Sequence, residues 1–171
     1  MKRIALLVLF CLSLVACSNQ NEIGRQQNEK SKPIFKVKAE YSSDIGGEFA
    51  KSFMDFHTHG WLFKDLGYFK EAEYSDSEDL QLFNLLDKIN YSHAIASTPV
   101  ELEMLDLMES YYSIVTELKG TKLEHERAIE YEAIGVQDKK EYLNFEEIGT
   151  TLETEGMGIL EKFKDYIEYT D

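Results

Sequence analysis

The chain has 171 residues, 32 of them acidic against 18 Lys and Arg, a formal net charge of −14 and 43% hydrophobic residues. That length suits one domain with a sizeable core, and the negative balance disfavours nucleic acid as a partner. Two Pro and ten Gly argue against a low-complexity chain, while ten Phe, ten Tyr and one Trp supply bulky groups for the interior.

Lys2 and Arg3 make the start of the chain positive, and residues 4–15 form an apolar run broken only by Ser13. The run is too short to span a bilayer as a helix but suits the apolar region of a secretory signal. Leu14, Val15, Ala16 and Cys17 end it, followed by Ser18, Asn19, Gln20 and Asn21. This tetrapeptide resembles the lipobox of bacterial lipoprotein precursors. The resemblance implies a diacylglyceryl thioether on Cys17, cleavage between Ala16 and Cys17, and acylation (palmitate or a similar chain) of the new amino terminus. The alternative is a secreted protein whose cysteine falls at the cut by chance. With each buried methylene contributing about 0.8 kcal/mol, two or more chains would hold the protein firmly at a membrane. By the same resemblance, Ser18 stands where many lipoproteins retained at the inner membrane carry Asp, which favours the outer membrane where one exists. Cys11 would leave with the signal and Cys17 would be capped, which removes a Cys nucleophile, a Cys-ligated zinc site and a redox pair.

Residues 1–16 thus read as signal peptide, 17–33 as a lipid-anchored tether and 34–171 as a single acidic helical domain. The tether is polar and aperiodic up to Pro33, the composition of a disordered linker. Charge divides sharply: residues 17–40 carry five basic and three acidic side chains, residues 41–171 carry 11 and 29. The basic stretch suits anionic headgroups, whereas the domain favours a neutral, apolar or cationic partner, unless its acidity serves only solubility.

Phe35, Val37, Ala39 and Tyr41 alternate with charged residues, which predicts a short strand or an extended arm across the domain, with 68–74 or 131–136 as candidate mates. Ile45, Phe49, Phe53 and Phe56 predict a first helix capped by Asp44, with breaks at Gly60 and Gly67. A second helix starts at Asp76 or Ser77 and presents Leu80, Phe83, Leu86 and Ile89 as its apolar face. Thr98, Pro99, Val100 and Glu101 form a capping box with Pro at the first helical position. The helix it opens carries Met104, Leu107, Met108, Tyr111, Val115 and Leu118 and stops at Gly120. Another helix is expected over 123–134, and a last one from an Asn144/Glu147 capping box, kinked or broken near Gly156. The fold class is therefore mainly α: a four- or five-helix bundle with one short N-terminal strand or hairpin.

The sharpest chemical string is Asp55-Phe56-His57-Thr58-His59-Gly60. It resembles the first metal-binding strand of the amidohydrolase and polymerase-histidinol-phosphatase hydrolases, where Asp-x-His-x-His precedes further ligands. Those barrels need about 200 residues or more and many strands, which this helical domain lacks. A lesser metal hypothesis gathers His57, His59 and His93 with nearby carboxylates around a zinc or copper ion. Asp76-Ser77-Glu78-Asp79 lacks the Gly and distal Glu of a calcium loop and reads as a helix start. No phosphate loop, nucleophile elbow or nucleic-acid motif is present. The expectation is a non-enzymatic envelope lipoprotein that binds through its domain, with no cofactor. A small-ligand or metal carrier using the His57/His59 region is the alternative, and a wall-directed hydrolase is the third reading. Expected partners are the membrane, through the anchor, and an envelope protein or small ligand.

Overall fold

A computed structural model describes residues 34–133 and 145–170. Residues 35–169 form one compact unit; the second unit, 1–34 with 170–171, lies outside the described residues apart from Ile34 and Thr170. The lipobox, the tether and the Asn144 cap also fall outside them. In chain order come β1 (Ile34–Val37), a 3-10 turn (Ala39–Tyr41), α1 (Gly47–Asp65), α2 (Asp76–Ile95), α3 (Pro99–Ala133), α4 (Phe145–Lys162), a second 3-10 turn (Phe163–Asp165) and β2 (Ile167–Thr170). The fold is a mainly α bundle with a short antiparallel strand pair. Among the described residues no helix is long and apolar enough to cross a membrane. α1 packs most extensively on α2 and α3 on α4, around a core led by Phe49, Phe53, Phe56, Met104, Met108 and Tyr111.

The capping box at α3 is present and does more than expected. Thr98 Oγ1 accepts the Glu101 N–H at 3.1 Å, and Glu101 Oε2 accepts the N–H groups of Ser97 (2.7 Å) and Thr98 (3.2 Å). The other oxygen, Oε1, takes the Gly46 N–H at 2.8 Å, so one carboxylate caps α3 and also the start of α1. Burial works against this carboxylate, but the convergent N–H donors outweigh it and hold Glu101 below its ordinary pKa. Asp44, the expected cap of α1, contributes its backbone carbonyl to Thr98 Oγ1 instead.

Four expectations are corrected by tertiary packing. First, β1 pairs with β2 rather than with 68–74, and of the other candidate mate 131–133 are helical while 134–136 lie outside the described residues; Lys38 N–H donates to the Tyr166 carbonyl at 2.9 Å and Lys36 meets Glu168 at 3.0 Å. The mate lies at the far end of the chain, where no local pattern announces it. Second, α3 does not stop at Gly120 but runs for 35 residues, absorbing the helix expected from Leu123. An interior Gly costs only about 1 kcal/mol, and the flanking Leu118 and Lys122 are both buried. Third, α2 turns Leu82, Leu85 and Ile89 inward and leaves Leu80 and Phe83 outside. Asp87 lies on the outer side, where inward burial would strand an unpaired charge.

Fourth, Gly60 and Gly156 lie inside continuous helices, and of the breaks expected in α1 only Gly67, at φ +80°, is real. The interior glycines are points of close approach. A Cβ at Gly60 would lie 2.9 Å from a Leu160 methyl, and Tyr111 Oη donates to the Gly60 carbonyl at 2.7 Å. At Gly149 a Cβ would clash with the Phe69 backbone oxygen, whereas at Gly158 it would meet nothing within 4 Å. Alanine at these two sites is therefore expected to act with opposite sign in denaturant unfolding. Gly149→Ala should cost roughly 1–3 kcal/mol, because backbone must move. Gly158→Ala should add about 0.5–1 kcal/mol by helix propensity. Equal effects at the two sites would contradict the packing described.

Candidate functional site

The three candidate metal histidines are not brought together. Residues two apart face the same side only on an extended chain, and 57–59 lie inside α1, where about 200° separates them. His57 points into the core and is fully buried. His59 Nδ1 meets Gln81 Oε1 near the start of α2 at 3.1 Å, while His93 Nε2 meets Glu109 Oε1 of α3 at 2.5 Å near the other end of α2. From Gln81 to His93 is about 18 Å along the helix axis. Among the described residues no group of three or more His, Cys, Asp or Glu side chains is placed to hold a metal ion.

His57 is instead the polar centre of an aromatic box. The Trp61 indole N–H donates to its Nε2 at 2.9 Å, one turn along the same helix. Nε2 is then the acceptor, which leaves the ring proton of the neutral form on Nδ1, and that atom makes no hydrogen bond. Phe35 of β1 meets the ring edge-on at 5.1 Å, and Phe163 lies tilted over it at 5.4 Å. Burial lowers the His57 pKa from 6.5 to about 4; the Leu160 backbone pulls it upward, while Lys164 and Glu161 act with opposite signs. A histidine sealed in this way is a packing group that must stay neutral, not a base that could reach substrate.

The second polar centre was not anticipated from sequence. Glu78, in the first turn of α2, and Lys122, in the middle of α3, form a salt bridge with side chains 2% and 0% exposed. Lys122 Nζ also donates to the Glu73 carbonyl at 3.3 Å and lies 5.9 Å and 6.0 Å from the centres of the Tyr68 and Phe145 rings. Burial pushes the Glu78 carboxyl up, and the Lys122 ammonium pulls it back in part. Beside this pair, Lys119 Nζ meets Asp79 Oδ1 at 2.6 Å and sits 4.8 Å over the Tyr74 ring, while Tyr74 Oη donates to the same Asp79 oxygen. Burial, then the Asp79 hydrogen bond, raises Tyr74 to about 12. Glu126 accepts the Tyr74 N–H at 2.7 Å. Together these groups pin the connector between α1 and α2 onto α3. One sequence signal pointed here: Lys122 continues, at a spacing of four, the apolar line that reaches Leu118.

Apart from His57 Nδ1, the polar groups described in the two centres hold partners within the fold. The most exposed large apolar side chains are Phe83 at 66% and Leu80 at 59%, both on α2, where Tyr91 is 45% exposed; Leu102 and Ile129 of α3 are about half exposed. Comparison with known proteins finds no matching family model, no matching curated protein and no matching solved structure.

Proposed function

We propose that this is a lipid-anchored protein of the bacterial cell envelope, held through Cys17 with its acidic domain outside the cytoplasm, and that it works as a non-enzymatic protein-interaction module. The anchor reading is supported by the basic start, the apolar run and the small-residue site before Cys17. The module reading is carried by one observation. The side chains with chemical potential, His57, His59, His93, Glu78 and Lys122, all hold partners within the fold, while large apolar groups on α2 hold none of that burden. A domain so arranged offers surface rather than reactive groups.

The anchor is tested by metabolic labelling. Radiolabelled palmitate should enter the full-length chain, and the Cys17→Ser form should lose the label and move from the membrane to the soluble fraction. Label that persists in Cys17→Ser, or fractionation that does not change, would remove the anchor from this reading. The module is tested separately by photocrosslinking in envelope fractions from several exposed positions of the domain. Protein adducts support it, and recovery of lipid adducts alone overturns it.

A further inference from the structure

The outward face of α2 carries several large apolar side chains. At about 100° per residue, Leu80, Phe83, Asp87, Tyr91 and Ala94 fall within about 80° of one another, opposite the inward line of Leu82, Leu85 and Ile89. The stripe runs about 21 Å along the helix, close to four turns. Only Asp87 interrupts it, and Leu86, 37% exposed, widens it towards α3. Tyr91 Oη donates to Glu48 of α1 at 3.3 Å, which steadies one end. Isolated exposed apolar residues are common, but several large ones aligned on one helix face mark a contact surface.

Charge selects the occupant. The exposed acids of α2 are Asp76, Asp79 and Asp87, of which Asp79 meets Lys119 and Asp87 meets Lys88, so the negative balance facing a partner is that of the domain as a whole, with 29 acidic and 11 basic residues over 41–171. A second copy would bring the same excess of negative charge to the contact, and an anionic bilayer would repel it in the same way. Residues 17–33 of this chain offer Ile23 as their one large apolar side chain, too little to cover four turns. We propose that the outer face of α2 docks a cationic amphipathic helix of a partner protein, its apolar side on Leu80, Phe83 and Tyr91 and its Lys or Arg flanks drawn by the net negative charge of the domain. This inference rests on the interaction-module reading and names the partner class for it. One helix face of this extent suits a transient contact rather than a permanent one.

The test uses the full chain, wild type and Phe83→Asp, with a labelled Leu/Lys amphipathic peptide of about five turns as probe. Scrambled Leu/Lys and facial Leu/Glu peptides are the controls, followed by fluorescence anisotropy. The facial Leu/Lys peptide should bind at least about tenfold tighter than either control, and Phe83→Asp should weaken it by about tenfold, the scale of losing a buried aromatic anchor. The substitution adds negative charge, so a purely electrostatic association would tighten instead; unchanged or tighter binding overturns the proposal. Phe83-dependent binding to phosphatidylglycerol vesicles, or Phe83-dependent self-association in sedimentation, overturns it in favour of a bilayer or a second copy. Because Phe83 is exposed, the thermal midpoint should hold, and a variant that melts early is replaced by Leu80→Asp. Failure here leaves the anchor and module tests untouched, since those read Cys17 and crosslinks from other faces.

Discussion

At pH 4 the folded protein is expected to be about 3 kcal/mol less stable than at neutral pH through His57 alone. The folded ring titrates near 4 and the unfolded one near 6.5, so between those values the unfolded chain binds the extra proton. The contribution of His57 is therefore complete above pH 6.5, declines as the pH falls through that value, and is gone once the folded ring itself protonates near 4. The physical cause is double. An imidazolium has no lone pair for the Trp61 N–H, and its charge would sit among Phe35, Trp61 and Phe163 with no carboxylate hydrogen-bonded to it. Denaturant unfolding of the parent and of His57→Phe at pH 7, 5.5 and 4 isolates the effect from the carboxylates, which titrate in both. The variant should lose about 3 kcal/mol less than the parent between pH 7 and 4. Trp61 is the chain's one tryptophan, so its fluorescence reports the same site directly. Parallel losses in the two proteins would contradict a neutral His57.

The larger effect is expected at the buried ion pair. Lys122→Met alone should cost about 3–5 kcal/mol, because it leaves the Glu78 carboxylate in the interior without its counter-charge. Glu78→Leu alone should cost a similar amount, stranding the ammonium against the Glu73 carbonyl and two aromatic rings. The double variant, apolar at both positions, should recover most of the loss, since two desolvated charges joined together are worth little more than well-packed hydrocarbon. A double-mutant cycle from urea unfolding measures the coupling, and single losses that simply add would show that the two groups do not depend on each other. The connector between α1 and α2 should loosen in the single variants, seen as faster amide exchange over 66–75.

Both expectations arise from contacts between distant parts of the chain, and that separates what could be read in the sequence from what could not. The Thr98–Glu101 box was legible because the two bonds that define it join residues three apart, and the dihedral preferences of Pro99 support the same start, whereas the bonds to Gly46 and Asp44 were not. The alternation from Phe35 was legible as extended chain as far as Val37, beyond which Ala39–Tyr41 turn as a 3-10 helix instead of continuing the strand, and Gly67 was legible as a stop. The Met104, Met108, Tyr111 line was legible as core, and all three are fully buried. The His57-Thr58-His59 string could be written down but not interpreted, since the same spacing converges on a strand and diverges on a helix.

By itself, then, the sequence determined the helical class, the local starts and the lopsided charge, all properties of short windows or of composition. Tertiary structure alone decided which of two apolar faces α2 would bury, that α3 would run through Gly120, that β1 would find its mate at the other terminus, and that Glu78 would meet Lys122. Each is a choice among locally equivalent options. The difference in free energy comes from groups tens of residues away, whose desolvation is tolerable only where a partner is already in place.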